Sequence, residues 1–417
     1  MATTNVGSVP HSDAARTPAP SGAPSRGVRS RVDAVDLLRG AVMILMALDH
    51  TRDYLGDVTA NPTNLATAST ALFLTRWVTH FCAPVFFLLT GTGAALALRR
   101  RSREELSHFL WTRGLFLIVF EATLMRALWQ FNVDYRVTII NVLWALGWSM
   151  IVLAALSRLP VAAVAAFGAG LILLHNLADS VTPAAFGPLA PLWILLHQPG
   201  LLVATPRTFV FVAYPLVPWI GVTAVGFALG RVFDWPPEKR RAFLLRLGAA
   251  LVVGFVLLRA TNAYGDPRPW TVQPSALRTV LSFVNTNKYP PSLLFLLMTL
   301  GPALLALRLL DAREGRSVPA FRRPVLVFGR VPLFFFMLHV VIIHLMALVR
   351  SAVAFGGVHW VFESPSLDKF PITQPPGWPL SLPWVYASWL LVVLLSYPCC
   401  RWYAQVRARR GGWLSYL

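Results

Sequence analysis

An apolar segment near the start of the chain carries ionisable side chains at helical spacing. It runs from Val35 to Tyr54 and reads VDLLRGAVMILMALDHTRDY. At 100° per residue, one arc of about 100° on a helix collects Asp36, Arg39, Met43, Met46, His50 and Asp53. The distance from Arg39 to His50 along the axis is roughly 16 Å. The helix therefore presents a cation near one end and an imidazole near the other.

An imidazole titrates near neutral pH, so His50 is a candidate general base. Asp53, one turn further on, is a candidate carboxylate to orient it. The alternative is that Asp36, Asp53 and their charged neighbours only mark where the segment meets water. We favour the first interpretation because His50 lies deeper than an interfacial residue needs to.

Polar residues recur in three later apolar runs. His80 lies one turn before Pro84 and could reach the same cavity as His50, or be a packed histidine. Donors and a cation gather before Pro290, where they could bind a sugar hydroxyl or a phosphate or carbonyl oxygen, or simply cap a helix. These residues are Asn285, Asn287 and Lys288.

His339 is the deeper of two histidines in the ninth run and is a further candidate for the cavity. His344 lies about 140° around the helix from it, so the two cannot share one metal ion. The chain contains no HxxxH or HExxH spacing, and its three cysteines have no zinc-binding spacing. We therefore predict no metal site.

Composition identifies the elements that must position these residues. The chain has 417 residues, of which 56% are hydrophobic and 13% charged, with a mean hydropathy of +0.59. Soluble domains carry roughly 25% charged residues. A membrane-spanning helix needs about 20 mostly apolar residues. Ten such runs lie near residues 35–54, 72–98, 108–128, 137–157, 159–178, 209–230, 242–260, 289–307, 325–349 and 383–400.

The net charge of +19 is concentrated in alternate loops, which is the positive-inside pattern. It predicts both termini in the cytoplasm and argues against a nucleic-acid partner. The fold class expected is an all-α, polytopic transmembrane helix bundle of about ten spans in the cytoplasmic (inner) membrane. We expect a disordered extension over 1–32, a membrane domain over 33–405 and a basic tail over 406–417.

The segment DLLRGAVMILMALDH resembles the opening helix of the transmembrane acyltransferases. These include the membrane O-acyltransferases of bacterial polysaccharides, whose hallmark Arg and His are matched by Arg39 and His50. The rest of the chain is more similar to bacterial members of the heparan-alpha-glucosaminide N-acetyltransferase family. That similarity lies in the segments THFCAPVFFLLTGTG, YPLVPWIGVTAVGFALG, NTNKYPPSLLFLLMTLGP and GRVPLFFFMLHVVIIH.

The resemblance implies a bundle of ten or eleven helices that moves an acyl group from acyl-CoA, above all acetyl-CoA, to a hydroxyl or amine. The acceptor would be a carbohydrate or another cell-envelope molecule. In the lysosomal enzyme the active-site His follows the first helix, at a position that falls near Thr70. No His lies between Thr51 and Thr79 here, so either His50 or His80 would be the base.

The leading hypothesis is thus a membrane acyltransferase with His50 and Asp53 in catalysis. Substrate would be bound by Arg39 on the donor side and by His80, Asn285, Asn287, Lys288 and His339. Alternatives are a transporter or permease for a small polar or acylated solute, and a non-catalytic scaffold. The expected partners are the lipid bilayer and the acceptor, with a homodimer left open.

Overall fold

The protein is described from a computed structural model over residues 1–3, 32–311, 318–364, 366 and 369–410. The predicted extension over 1–32 lies almost wholly outside these ranges, as does the end of the predicted tail. Both therefore stay predictions. The description below concerns the unit that begins at Asp33.

Within the described ranges, α-helices account for most of the unit. They are α1 Asp33–Leu55, α2 Thr70–Thr79, α3 Cys82–Ala97, α4 Arg103–Phe120, α5 Arg126–Gln130, α6 Val142–Leu156, α7 Val161–Leu174, α8 Ala190–Leu196, α9 Leu216–Gly230, α10 Pro237–Thr261, α11 Ala276–Val284, α12 Leu293–Leu310, α13 Arg323–Arg330, α14 Pro332–Phe355 and α15 Leu382–Arg410. A π-helical turn, Glu121–Met125, joins α4 to α5. The all-α fold class is confirmed.

Eight of the described helical segments are long and apolar enough to cross a membrane. The two remaining predicted runs fall on α1, which carries several charged residues, and on α6, which has 15 residues. Each of the ten predicted runs thus coincides with a helix. The protein is a multi-pass membrane protein, whereas the side on which its termini lie stays a prediction.

Two helices begin later than the apolar runs that predicted them, because the first residues of those runs form strands. Strand β1, Val137–Ile140, precedes α6, and strand β3, Phe209–Val212, precedes α9. With β2, Gly200–Ala204, they form a sheet in the order β1-β3-β2, parallel between β1 and β3 and antiparallel between β3 and β2. Their sequences, VTII and FVFV, are rich in the β-branched and aromatic residues that favour strands.

Close helix packing at glycines builds the bundle. A Cβ on Gly91 of α3 would lie 2.0 Å from the carbonyl oxygen of Thr223 in α9. On α1, a Cβ on Gly40 would lie 1.9 Å from the carbonyl oxygen of Val325 in α13. Small residues permit such approaches between membrane helices. Helix α1 also contacts α2, α3, α12, α14 and α15, so its polar stripe is enclosed by protein.

Candidate functional site

A cavity of about 520 Å³ lies at the end of α1 that carries His50. Its wall comes from α1, α2, the start of α3, α5, α14, the sheet, the segments before α9 and α12, and the loop before α15. The lining residues with polar or aromatic side chains are Asp49, His50, Arg52, Asp53, Arg76, Thr79, Phe86, Trp129, Asn141, Phe211, Tyr214, Lys288, Tyr289, Phe336 and Phe370. This is the size range of small-molecule sites, with a few polar groups set in an apolar wall.

A chain of hydrogen bonds fixes the tautomer of His50. The Nδ1 of His339 lies 2.7 Å from the carbonyl oxygen of Phe335, which can only accept, so a neutral His339 carries its proton on Nδ1. Its Nε2 is then an acceptor, and the Nδ1 of His50 lies 2.7 Å away. His50 therefore donates from Nδ1, and in its neutral form has a lone pair on Nε2.

No hydrogen bond to the Nε2 of His50 occurs within the part of the chain that the structure describes, and His50 lines the cavity. The ring of Trp129 packs edge-on against the imidazole at 4.8 Å between centroids, and Phe336 does so at 5.8 Å. Both rings therefore pack against the His50 imidazole. The arrangement leaves an oriented, unprotonated nitrogen available to a bound molecule, which is what a general base requires.

Alternating charges border the imidazole. The Arg76 guanidinium donates to Asp49, and Arg52 contacts Asp49 at 3.1 Å and Asp53 at 2.5 Å. Lys288 is only 8% exposed, and its Nζ lies 5.2 Å from the ring centre of Tyr289. Among the described lining residues, three cationic side chains thus accompany two carboxylates. The excess of positive charge favours an anionic group or a developing oxyanion in the cavity.

The structure brings together four of the eight predicted site residues. His50, Asp53 and Lys288 line the cavity, and His339 lies directly behind His50. One assigned role changes, because Asp53 is bonded to Arg52 and the side chain that orients His50 is His339. Asp53 contributes charge to the wall.

The other four predicted residues do not line this cavity. Arg39 lies at the opposite end of α1, where Nη1 donates to Asp36 at 2.8 Å and to the carbonyl oxygen of Gly329 at 3.1 Å. His80 is 2% exposed and packs edge-on against Phe295. Arg39 lies within α1 and His80 is the C-cap of α2, in the turn before α3. The packing of neighbouring helices decides which of these positions meet the cavity.

The two asparagines have local structural contacts. Asn285 donates from Nδ2 to the carbonyl oxygen of Thr63 at 2.9 Å, which joins two loops. Asn287 donates from Nδ2 to the carbonyl oxygen of Pro290 at 2.9 Å, and its backbone N–H donates to Asp266. Their amides thus hold the segment before α12, whose N-cap is Ser292, and their role in substrate binding stays a prediction.

Three charged residues of the cavity, Asp49, Arg52 and Arg76, are not among the predicted site residues. Asp49 points about 100° away from His50 on the helix, so helical geometry does not group the two. Arg76 received no attention, although a cation within the apolar stretch TALFLTRWVT of α2 is an anomaly that demands a partner. That partner is Asp49, which points away from His50 and forms an ion pair with Arg76.

Residues 31–260 of the chain match the family model described as heparan-alpha-glucosaminide N-acetyltransferase, catalytic. A comparison with the curated proteins finds no match. The matched range contains His50 and its charged neighbours on α1 and α2. Lys288 and His339, which complete the cavity, lie beyond it.

Proposed function

Because the chain belongs to the family of heparan-alpha-glucosaminide N-acetyltransferase catalytic domains, we propose that it transfers an acetyl group from acetyl-CoA to a carbohydrate or other cell-envelope acceptor. The family makes it an N-acetyltransferase-type membrane enzyme. The donor, the acceptor and its placement in the cytoplasmic membrane are our proposals. The observation that carries the mechanism is the unprotonated Nε2 of His50, held by His339 at the cavity wall.

In the proposed reaction, the acceptor's nitrogen or oxygen attacks the thioester carbonyl carbon while the Nε2 of His50 removes its proton. A new C–N or C–O bond forms, and the carbonyl electrons move onto oxygen. When they return, the C–S bond breaks and the imidazolium gives the proton to the leaving sulfur. His50 acts first as base and then as acid, and ends the cycle neutral.

The remaining side chains assist this sequence through charge and position. Lys288 and Arg76 supply the positive field for the transient oxyanion, since electrostatic stabilisation is commonly the largest contribution in acyl transfer. His339 accepts from Nδ1 and so favours positive charge on His50 in the transition state. Trp129 and Phe336 restrict water beside the imidazole, which limits hydrolysis of the thioester.

The test is transfer of label from radiolabelled acetyl-CoA to glucosamine and to envelope extracts by the purified protein in detergent. His50→Ala is expected to lower the rate by about 10²- to 10⁴-fold, the usual contribution of a general base. His108→Ala, which removes an exposed histidine of α4, is the matched control and should keep the rate. Full transfer by His50→Ala would contradict the mechanism.

A transporter has a different signature in the same preparations. Reconstituted vesicles would take up acetylated or polar solute without releasing CoA, and His50→Ala would alter flux rather than CoA release. Release of CoA that depends on acceptor and on His50 would favour the enzyme. Flux without CoA release would overturn the proposed function.

A further inference from the structure

A second group of chemistry-bearing side chains lies away from His50, where α7 ends. His175 and Asp179 are four residues apart in the sequence HNLAD. Helix α7 passes here into a 3₁₀ turn, His175–Ala178. His197 follows directly after α8, so the chain returns 22 residues later to the same place.

The three side chains converge. One ligand atom from each of His175, Asp179 and His197 lies within 4.8 Å of the other two. The Nε2 of His197 and the Oδ1 of Asp179 are 3.4 Å apart. In a tetrahedral zinc site, metal bonds of about 2.0–2.2 Å place neighbouring ligand atoms about 3.4 Å apart. The pair of His197 and Asp179 already has this separation, and the other separations, which are at most 4.8 Å, would have to shorten by up to about 1.4 Å.

The nitrogens of this group lack the partners that buried imidazoles normally have. His175 is 6% exposed and His197 is 2% exposed. Both nitrogens of His175 and the Nε2 of His197 are buried with no hydrogen-bond partner among the described residues. Buried polar atoms are satisfied in the great majority of cases, and a bound metal ion would satisfy one nitrogen of His175 and the Nε2 of His197.

Surrounding contacts orient the carboxylate as metal sites require. The Nδ2 of Asn176 donates to the Oδ2 of Asp179 at 2.7 Å, which leaves Oδ1 for the metal. Asn176 in turn accepts from the backbone N–H of Leu293, at the start of α12. The Asp179 side chain is 20% exposed and gives a path for entry. Such outer contacts fix ligand geometry in metalloproteins.

We propose that His175, Asp179 and His197 bind a zinc ion, with a fourth coordination position filled by water. Two imidazoles and one carboxylate are a zinc donor set with an open position. The ion would join the end of α7 to the end of α8. Pro199, two residues after His197, lines the His50 cavity, so the bound ion would also hold part of that wall. This proposal does not depend on the proposed acetyl transfer.

The experiment measures zinc in the full-length protein purified in detergent with a tag that contains no histidine. The protein is stripped with a chelator, reloaded with Zn²⁺ alone and analysed for bound metal by mass spectrometry and for its melting temperature. We expect about one zinc per chain and a rise in melting temperature on loading, because a ligand that binds only the folded state stabilises it.

His197→Ala and Asp179→Asn should lower zinc affinity by more than about 100-fold, since even outer-shell partners commonly change it 10- to 100-fold. Asp179→Glu keeps a carboxylate and should retain the ion. His359→Ala, an exposed histidine in another loop, is the matched control and should bind zinc like the unaltered chain.

The melting temperature measured without metal distinguishes a variant that has lost its fold from one that has lost only the metal. Asp179→Asn should melt close to the stripped unaltered chain and no longer respond to Zn²⁺. Substoichiometric zinc in the unaltered chain, or equal zinc in the Asp179→Asn variant, would overturn the proposal. Either result would show that the cluster is a histidine–carboxylate contact without metal.

Discussion

Removal of His339 tests whether the orientation of His50 depends on this partner. His339→Leu leaves the Nδ1 proton of His50 in a buried place without the acceptor that now lies 2.7 Å away. An unsatisfied buried donor costs about 1–3 kcal/mol. His50 avoids this cost by moving its proton to Nε2, which removes the lone pair from the cavity. At 1.36 kcal/mol per factor of ten, the productive tautomer falls by about 5- to 150-fold.

The assay is initial-rate acetyl transfer over a range of acetyl-CoA concentrations. We expect kcat to fall by that factor while the KM for acetyl-CoA changes little, because the substitution alters the protonated nitrogen and not the donor's contacts. His339→Gln offers an amide oxygen in a similar position and should recover a substantial part of the rate. A merely structural role for His339 would not predict this recovery.

The control removes another buried histidine from the same helix. His344 hydrogen-bonds from its ring to the carbonyl oxygen of Val361 at 2.7 Å and does not touch His50. His344→Leu should therefore keep kcat within about twofold in chains that remain folded. If His339→Leu also kept the rate within twofold, or if the Gln and Leu variants were equally slow, the tautomer argument would be refuted.

Three further outcomes follow from the packing and charges. Gly91→Ala should lower the free energy of unfolding by about 1–3 kcal/mol or more, because its Cβ would lie 2.0 Å from a carbonyl oxygen of α9. Gly93→Ala is the control, since a Cβ there would have no neighbour closer than 4.0 Å. Equal melting temperatures for the two variants would contradict the close packing of α3 on α9. Arg76→Met should destabilise the fold by up to about 3–5 kcal/mol, because Asp49 loses a cationic partner. The double variant with Asp49→Leu should recover part of the lost melting temperature. A still lower melting temperature in the double variant would argue against a stabilising pair. Lys288→Met should lower kcat by about 10²-fold, and Lys288→Arg, which keeps the charge, should lower kcat by less. Equal decreases in kcat for the two variants would exclude a role for the charge of Lys288.

Much of the architecture follows from composition and hydropathy alone. In a bilayer every backbone N–H and C=O group must be paired within the protein, and a run of about 20 apolar residues achieves this as a helix. Each of the ten predicted runs accordingly coincides with a helix. The short strands at Val137–Ile140 and Phe209–Val212 were absorbed into predicted spans, because hydropathy does not distinguish a buried strand from the start of a helix.

The sequence by itself determined which residue types are anomalous in an apolar chain. His50 and Asp53 were found in this way, since an ionisable group in a membrane helix is costly unless it has a function or a partner. The same reasoning selected Asn285 and Asn287, whose amides the structure places in contacts within the protein. An amide that holds a turn and an amide that binds a ligand have the same local sequence, and only the structure separates them.

Tertiary structure alone decided which anomalies share a site. His339 reaches His50 across 289 positions of sequence, and the meeting depends on how α14 packs against α1. Arg76 meets Asp49 for the same reason, through the packing of α2 on α1. His175, Asp179 and His197 converge only because the chain turns back after α8. Helical periodicity fixes directions around one axis, but the distances between side chains on different helices arise from packing, which no single segment encodes.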